Sequence, residues 1–207
     1  MGAMFFAFDG LDGVGKSTQI ERFAGWLRGL NHEVVTCRDP GSTALGEAIR
    51  ELLLEEHQNP RGCRAEMFLY MAARAQLVDE VIDPALEAGK MVVSDRYLLA
   101  NVAYQGHAGT LDPETVWRIG TTATHGIMPE ITFLLDMPLE MIAERFHRPL
   151  DRMEQRGDGF RRRVREGFLA EAARFADKIV VIDASRPVDA VQEEIRAAAI
   201  KRLGIKL

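Results

Sequence analysis

The stretch GLDGVGKS, residues Gly10 to Ser17, follows a short apolar run, Met4 to Phe8, and governs how the rest of the chain is read. It fits the spacing G-x-x-x-x-G-K-[ST]. Glycines at these positions let the backbone bend so that successive N–H groups point at one anion. The following helix adds its positive N-terminal end. In that geometry Lys16 reaches the β- and γ-phosphates of a nucleotide, and the Ser17 hydroxyl ligates Mg²⁺. The bland alternative is a glycine-rich turn that happens to fit, and the apolar strand before it and helical pattern after it favour the phosphate cradle. The motif names a phosphate donor and leaves the destination of the phosphate open.

The 207 residues suffice for one domain spanning 1–207 with a real core, and no linker divides them. Hydrophobic content of 47% and charged content of 28% are those of a soluble globular protein. A net charge of -5 argues against a nucleic-acid polymer as partner. No apolar run approaches the roughly 18 residues of a membrane span, and no secretory pattern opens the chain. Cys37 and Cys63 show neither metal-ligand spacing nor a disulfide framework, so a cytoplasmic location is expected. Any anion must then be held by local arginine clusters.

Short β-rich runs alternate with helical patterns. Strands are expected at Met4–Phe8, Glu33–Cys37, Met91–Ser94, Ile131–Leu135 and Lys178–Asp183. Helices are expected from Ser17 to about Leu30, at Ala44–Glu56, at Arg64–Ile82 and at Tyr97–Tyr104. Others start after Asp112-Pro113 and near Pro138 and Pro187. In the second of these, Leu45, Ala48, Ile49, Leu52 and Leu53 mark the expected inner side. This alternation predicts a three-layer α/β/α fold around a five-stranded parallel sheet. Ligands of such sheets bind beyond the carboxyl ends of the strands. Gly10–Ser17, Arg38–Thr43 and Asp95–Arg96 all lie just past a strand end, so they should converge.

In MVVSDRY, residues 91–97, Asp95 can hold Mg²⁺ directly or through water, or cap the next helix. Arg96 beside it is placed as an anion contact. The segment Arg145–Arg165 holds eight arginines and few acids. A charge run is commonly a solvated helix face. Here Gly157 and Gly159 suggest a hinge, and phosphoryl transfer between two anions needs cationic charge, so a lid is the sharper reading. Tyr70 and Arg74 share a helical face at i and i+4, and Tyr97, Asn101 and Tyr104 share another. Each set suits either core packing or a flat heterocycle with polar edges. No N-K-x-D, H-R-D or D-F-G element occurs, which removes guanine-specific switches and protein kinases from consideration.

Taken in order, FDGLDGVGKST, RDPGST, SDRYLLANVAYQG, LDRMEQ, FRRRVREGFLAEA and VIDASRPVDAV resemble the thymidylate kinase family of P-loop nucleoside monophosphate kinases over nearly the whole chain. The resemblance implies transfer of the γ-phosphoryl group of ATP to dTMP with Mg²⁺, by a single P-loop kinase domain with a lid at about 145–160, in a homodimer. It implies that ATP is held by Gly10, Leu11, Asp12, Gly13, Val14, Gly15, Lys16, Ser17 and Thr18, with Ser17 and Asp95 toward Mg²⁺. It also implies that Arg38 and Arg96 clamp the acceptor monophosphate, that Asp12 meets its deoxyribose or Mg²⁺, and that Tyr70 stacks on thymine. Arg74 would bond a base carbonyl, Asn101 and Gln105 would read the polar edge, and Tyr104 would crowd a 2′-hydroxyl. Gly13 and Val14 leave the phosphate loop without arginine. Arg145, Arg148 and Arg152 of the lid are therefore the expected source of transition-state charge, and Lys16, Arg96, Arg152, Asp95 and Asp12 the expected catalytic set. The alternatives are a kinase of another nucleoside monophosphate or deoxynucleoside, and a nucleotide-binding regulatory module that transfers nothing.

Overall fold

The structure, a computed structural model, describes residues 2–54, 61–145 and 157–203. Five parallel strands form one sheet: β1 (Met4–Asp9), β2 (Val34–Arg38), β3 (Met91–Asp95), β4 (Ile131–Asp136) and β5 (Ile179–Asp183), in the order β2-β3-β1-β4-β5. All four pairings are parallel, with Phe8 opposite Asp95 and Arg38 opposite Asp95 at the carboxyl ends. The three-layer α/β/α reading holds.

The apolar run of β1 explains why it is central. Phe5 and Ala7 enter the core on one face of the sheet, while Phe6 and Phe8 enter the core on the other. A strand buried on both faces loses the alternation of an amphipathic one and reads as a continuous apolar run. On the second face Phe6 packs edge-on to Phe23 at 5.0 Å, and Phe23 reaches Phe133 at 5.5 Å. Phe23 belongs to α1 (Lys16–Gly29), which thereby anchors the helix that opens from the phosphate loop. No described helix is long and apolar enough to cross a membrane.

The remaining helices are α2 (Ala44–Leu54), α3 (Cys63–Leu77), α4 (Asp83–Glu87), α5 (Leu98–Asn101), α6 (Pro113–Ala123), α7 (Leu139–Arg145), α8 (Asp158–Arg174) and α9 (Val188–Leu203). Asp112 caps α6 by accepting from the Thr115 amide, with Pro113 at the first helical positions. Three expectations are corrected. The helix expected over Arg64–Ile82 passes into a π-helical turn at Val78–Ile82, where the Asp83 amide bonds Val78 O. The wider ring absorbs the entry of Pro84, which cannot donate and would crowd an α-helical ladder. The helix expected over Tyr97–Tyr104 starts only at Leu98 and becomes π-helical over Val102–His107. On α2 only Ile49 and Leu53 of the five expected inner residues are buried, packing with Ala73 of α3. Leu45, Ala48 and Leu52 face outward, because α2 meets its neighbour along a single i, i+4 stripe.

Candidate active site

The three strand ends converge as the parallel sheet requires. Gly10 follows β1 with φ 135°, and a Cβ there would lie 2.3 Å from Leu135 O, so only glycine lets the loop leave the strand. Leu11 and Val14 anchor the loop by burying their side chains in the core. Asp12, Gly13, Gly15, Lys16, Ser17 and Thr18 line a cleft of about 470 Å³. Lys16 is buried and curls back over its own loop, donating to Leu11 O at 2.8 Å and Gly10 O at 3.2 Å. Burial and the neighbouring Arg96 charge lower its pKa, against the pull of Asp12 and Asp95.

Arg38, Asp95 and Arg96 reach the same cleft from β2 and β3. Arg96 sits at φ 69°, a left-handed conformation costly for a long side chain and of the kind that clusters at functional sites. The conformation directs its guanidinium onto Asp12 Oδ1 at 2.6 Å and Gly10 O at 3.0 Å, with Asp9 3.9 Å away. Burial alone would raise the Asp12 carboxyl, but the charges of Arg96 and Lys16 outweigh it and hold Asp12 well below the usual carboxylate range. Arg38 is half exposed and pairs with Glu47 Oε2 of α2 at 2.6 Å. Asp95 Oδ1 is buried with no hydrogen-bond partner among the described residues.

A second cavity adjoins the first. Tyr70 and Arg74 from α3, Asn101 from α5, and Tyr104 and Gln105 from the π-helical segment line it together. Arg74 is fully buried and bonds Asp39 Oδ2 at 2.5 Å, Asn101 Oδ1 at 2.5 Å and Tyr97 O at 3.3 Å. Asn101 in turn donates to Gln105 Oε1 at 2.8 Å, leaving Gln105 Nε2 without a partner among the described residues. Most N–H groups of Arg74 are thus committed to the wall of the pocket. Tyr104 packs against Phe160 and Phe168 of α8 and lies under the Arg96 guanidinium at 5.4 Å. The two cavities share Asp12, Asp39, Arg50 and Arg96, so no wall of secondary structure separates them.

A family model described as thymidylate kinase matches residues 8–195. The chain belongs to the thymidylate kinase family. It is 44% identical over 202 residues to the thymidylate kinase of Bifidobacterium longum (strain NCC 2705), covering 95% of this chain and 97% of that protein. It is 42% identical over 207 residues to that of Geobacillus thermodenitrificans (strain NG80-2), covering 98% and 92%. A crystal structure of thymidylate kinase from Ehrlichia chaffeensis superimposes with a TM-score of 0.75 at 27% identity, over 96% of this chain and 99% of the other.

Of the residues expected from sequence, Asp12, Gly13, Gly15, Lys16, Ser17, Thr18, Arg38, Tyr70, Arg74, Asp95, Arg96, Asn101, Tyr104 and Gln105 line one or both cavities. Gly10, Leu11 and Val14 line neither, and the side chains of Leu11 and Val14 turn into the core instead. Arg148 and Arg152 lie outside the described residues, as does the Arg145 side chain at the end of α7. Gly157 precedes α8 with φ 81°, whereas Gly159 lies inside that helix. Arg50 and Asp9 were missed. Arg50 of α2 donates to Pro40 O at 3.0 Å and borders both cavities, which no local spacing reveals. Asp9 was legible as the acid of the F-D-G stretch, though not as what it is here.

Asp9 is fully buried beneath the phosphate loop, and neither carboxylate oxygen has a hydrogen-bond partner among the described residues. Burial pushes its carboxyl from the ordinary 3.8 up to about 7, against the opposing charges of Arg96 and Lys16. Between those two values the folded chain holds a proton that the unfolded chain has released. This group's contribution to stability therefore falls as pH rises and is lost above about 7. Asp9→Asn should raise the nucleotide-free melting temperature more at pH 8 than at pH 5. Equal gains at both pH values in thermal unfolding would refute the assignment.

Proposed function

We propose that this enzyme transfers the γ-phosphoryl group of ATP to the 5′-phosphate of dTMP, giving ADP and dTDP, within one P-loop kinase domain. The observation that carries the reading is the sharing of Asp12, Asp39, Arg50 and Arg96 between a phosphate-loop cleft and a pocket of aromatic and amide side chains. A donor phosphate and an acceptor phosphate bound there face each other across one cluster of cations. A regulatory switch has no use for the second pocket.

In this reading the loop amides, Lys16, Ser17 and Thr18 hold the ATP phosphates, while Arg38 and Arg96 clamp the acceptor phosphate. An oxygen of that phosphate bonds to the γ-phosphorus as the bond to the ADP oxygen breaks, and the electron pair leaves with ADP. The attacking oxygen is already anionic, so no general base is needed, and rate comes from positioning and charge. Asp12, held ionised by Arg96 and Lys16, faces the deoxyribose. Tyr70 stacks on thymine, Asn101 and Gln105 meet its polar edge with Arg74 behind them, and Tyr104 excludes a 2′-hydroxyl. The buried, unpartnered Asp95 Oδ1 in the cleft that also holds Ser17 fits a hard cation, and these two residues would hold Mg²⁺. The ion supplies neutralisation of phosphate charge. Arg145, Arg148 and Arg152 are assigned the lid charge on sequence grounds.

A coupled ADP-release assay across the nucleoside monophosphates at fixed ATP tests this. ADP release should depend on dTMP and exceed that with UMP or CMP. Preference for either of those would overturn the acceptor assignment.

A homodimer completes the reading, and the two buried-to-intermediate free thiols are compatible with a reducing cytoplasm. Leu45 and Leu52 of α2 and Phe68 of α3 are exposed, at 47%, 40% and 52%, on two helices that pack together, and a second copy would cover them. Phe68→Glu should then shift the chain from dimer to monomer in sedimentation equilibrium. A wild-type chain that is monomeric at micromolar concentration would exclude the dimer.

A further inference from the structure

The π-helical segment Val102–His107 aims Tyr104 and Gln105 into the acceptor pocket, and its register is held from outside the pocket. His107, its last residue, has Nε2 2.8 Å from Glu171 Oε1 of α8. The other oxygen of the same carboxylate accepts from Trp117 Nε1 of α6 at 2.9 Å. Glu171 is almost fully buried, with Arg174 Nη1 3.9 Å from its Oε2. A buried carboxylate is tolerable only where donors satisfy it, and here the donors come from two other elements.

The contact is close. Gly167, one turn before Glu171 on the same helix face, has no side chain, and a Cβ there would lie 2.5 Å from His107 Cβ. The backbone of α8 therefore seats His107 directly, while Phe160 and Phe168 of the same helix pack on Tyr104. A π turn carries one more residue per turn than an α turn and persists where its surroundings favour it. Relaxing it to α geometry rotates each following side chain by about 100° around the axis. Fixing His107 at the end of the segment opposes that rotation.

We propose that Glu171 is a positioning residue for acceptor recognition: through His107 it locks the register of the segment that presents Tyr104 and Gln105, and it couples that register to Trp117. The inference rests on the acceptor pocket assigned above. Glu171, His107 and Trp117 are not among the residues lining the phosphate-loop cleft. The segment meets that cleft through Arg96 above Tyr104, so the donor site should feel the loss far less than the acceptor pocket.

The sequence holds two tryptophans, Trp26 and Trp117, so Trp26→Phe leaves Trp117 as the reporter. In that background, dTMP titration should change Trp117 emission and saturate with the affinity measured by calorimetry. Glu171→Leu should abolish the emission change and weaken dTMP binding by roughly tenfold or more, as expected for loss of hydrogen bonds to a charged group. ATP affinity should stay within about twofold, and Glu171→Gln, which retains an acceptor, should recover most of the dTMP affinity. If Glu171→Leu fails to fold, His107→Leu removes the same lock and is read in the same way. A folded variant with wild-type dTMP affinity, or with equal losses for ATP and dTMP, overturns the proposal. If the Trp26→Phe parent itself shows no dTMP-dependent ADP release, the acceptor assignment falls, and the inference with it.

Discussion

Replacing Lys16 by Met should lower kcat/KM for phosphoryl transfer by on the order of 10²–10³-fold or more, the scale of losing one preorganised charge on a transferring group. The fold should survive. Among the described residues Lys16 donates to carbonyls of its own loop and to Asp12, and burial together with Arg96 already disfavours its charge. Met preserves the buried stem while removing the ammonium, so the melting temperature should hold or rise. Steady-state kinetics beside thermal unfolding checks both halves. Near-wild-type kcat/KM would remove Lys16 from the catalytic set, and a collapse in stability would make any activity loss uninterpretable as chemistry.

Arg74→Met should destabilise the chain by about 3–5 kcal/mol, the usual cost of breaking a buried ion pair by removing one partner. Asp39 would be left fully buried without its countercharge, and Asn101 Oδ1 would lose its donor. Burial already pushes the Asp39 carboxyl upward against the pull of Arg74. Without Arg74 that carboxyl would be pushed up further. The deficit should therefore widen as pH rises. Adding Asp39→Asn should recover much of the loss, since the cost lies in the uncompensated charge. Urea unfolding of both single variants and the double variant measures this. A single variant within about 1 kcal/mol of wild type would show that Arg74 is not a structural cation and would return it to a ligand-only role.

The Arg74 case shows where sequence reading stops. Its spacing from Tyr70 placed both on one helix face beside the pocket, and the structure has them lining one cavity. That the guanidinium is spent chiefly on Asp39, 35 residues away, follows from the loop after β2 meeting α3 in space. The same limit applies to α2. Five apolar residues read as one inner face, yet the width of the buried stripe depends on how α3 crosses it, and two leucines emerge on the surface. The π-helical turns were not legible either, because Val102–His107 has ordinary helical residues and its register is stabilised by α8.

Local chemistry was enough for the strands, the phosphate loop and the order of the motifs. Both faces of β1 are covered, so its apolar run is unbroken, and the glycines around Lys16 stand where backbone must bend around an anion. These signals depend on neighbours in the chain, so the amino-acid sequence by itself determined the three-layer fold and the convergence of three loops at one edge of the sheet. Tertiary structure alone decided which cations face the ligand and which face carboxylates. It also decided that a carboxylate on α8 would meet His107 and Trp117, 64 and 54 residues away. Charge pairing in a buried site is a question of distance and desolvation, and neither exists until the sheet has brought its strand ends together.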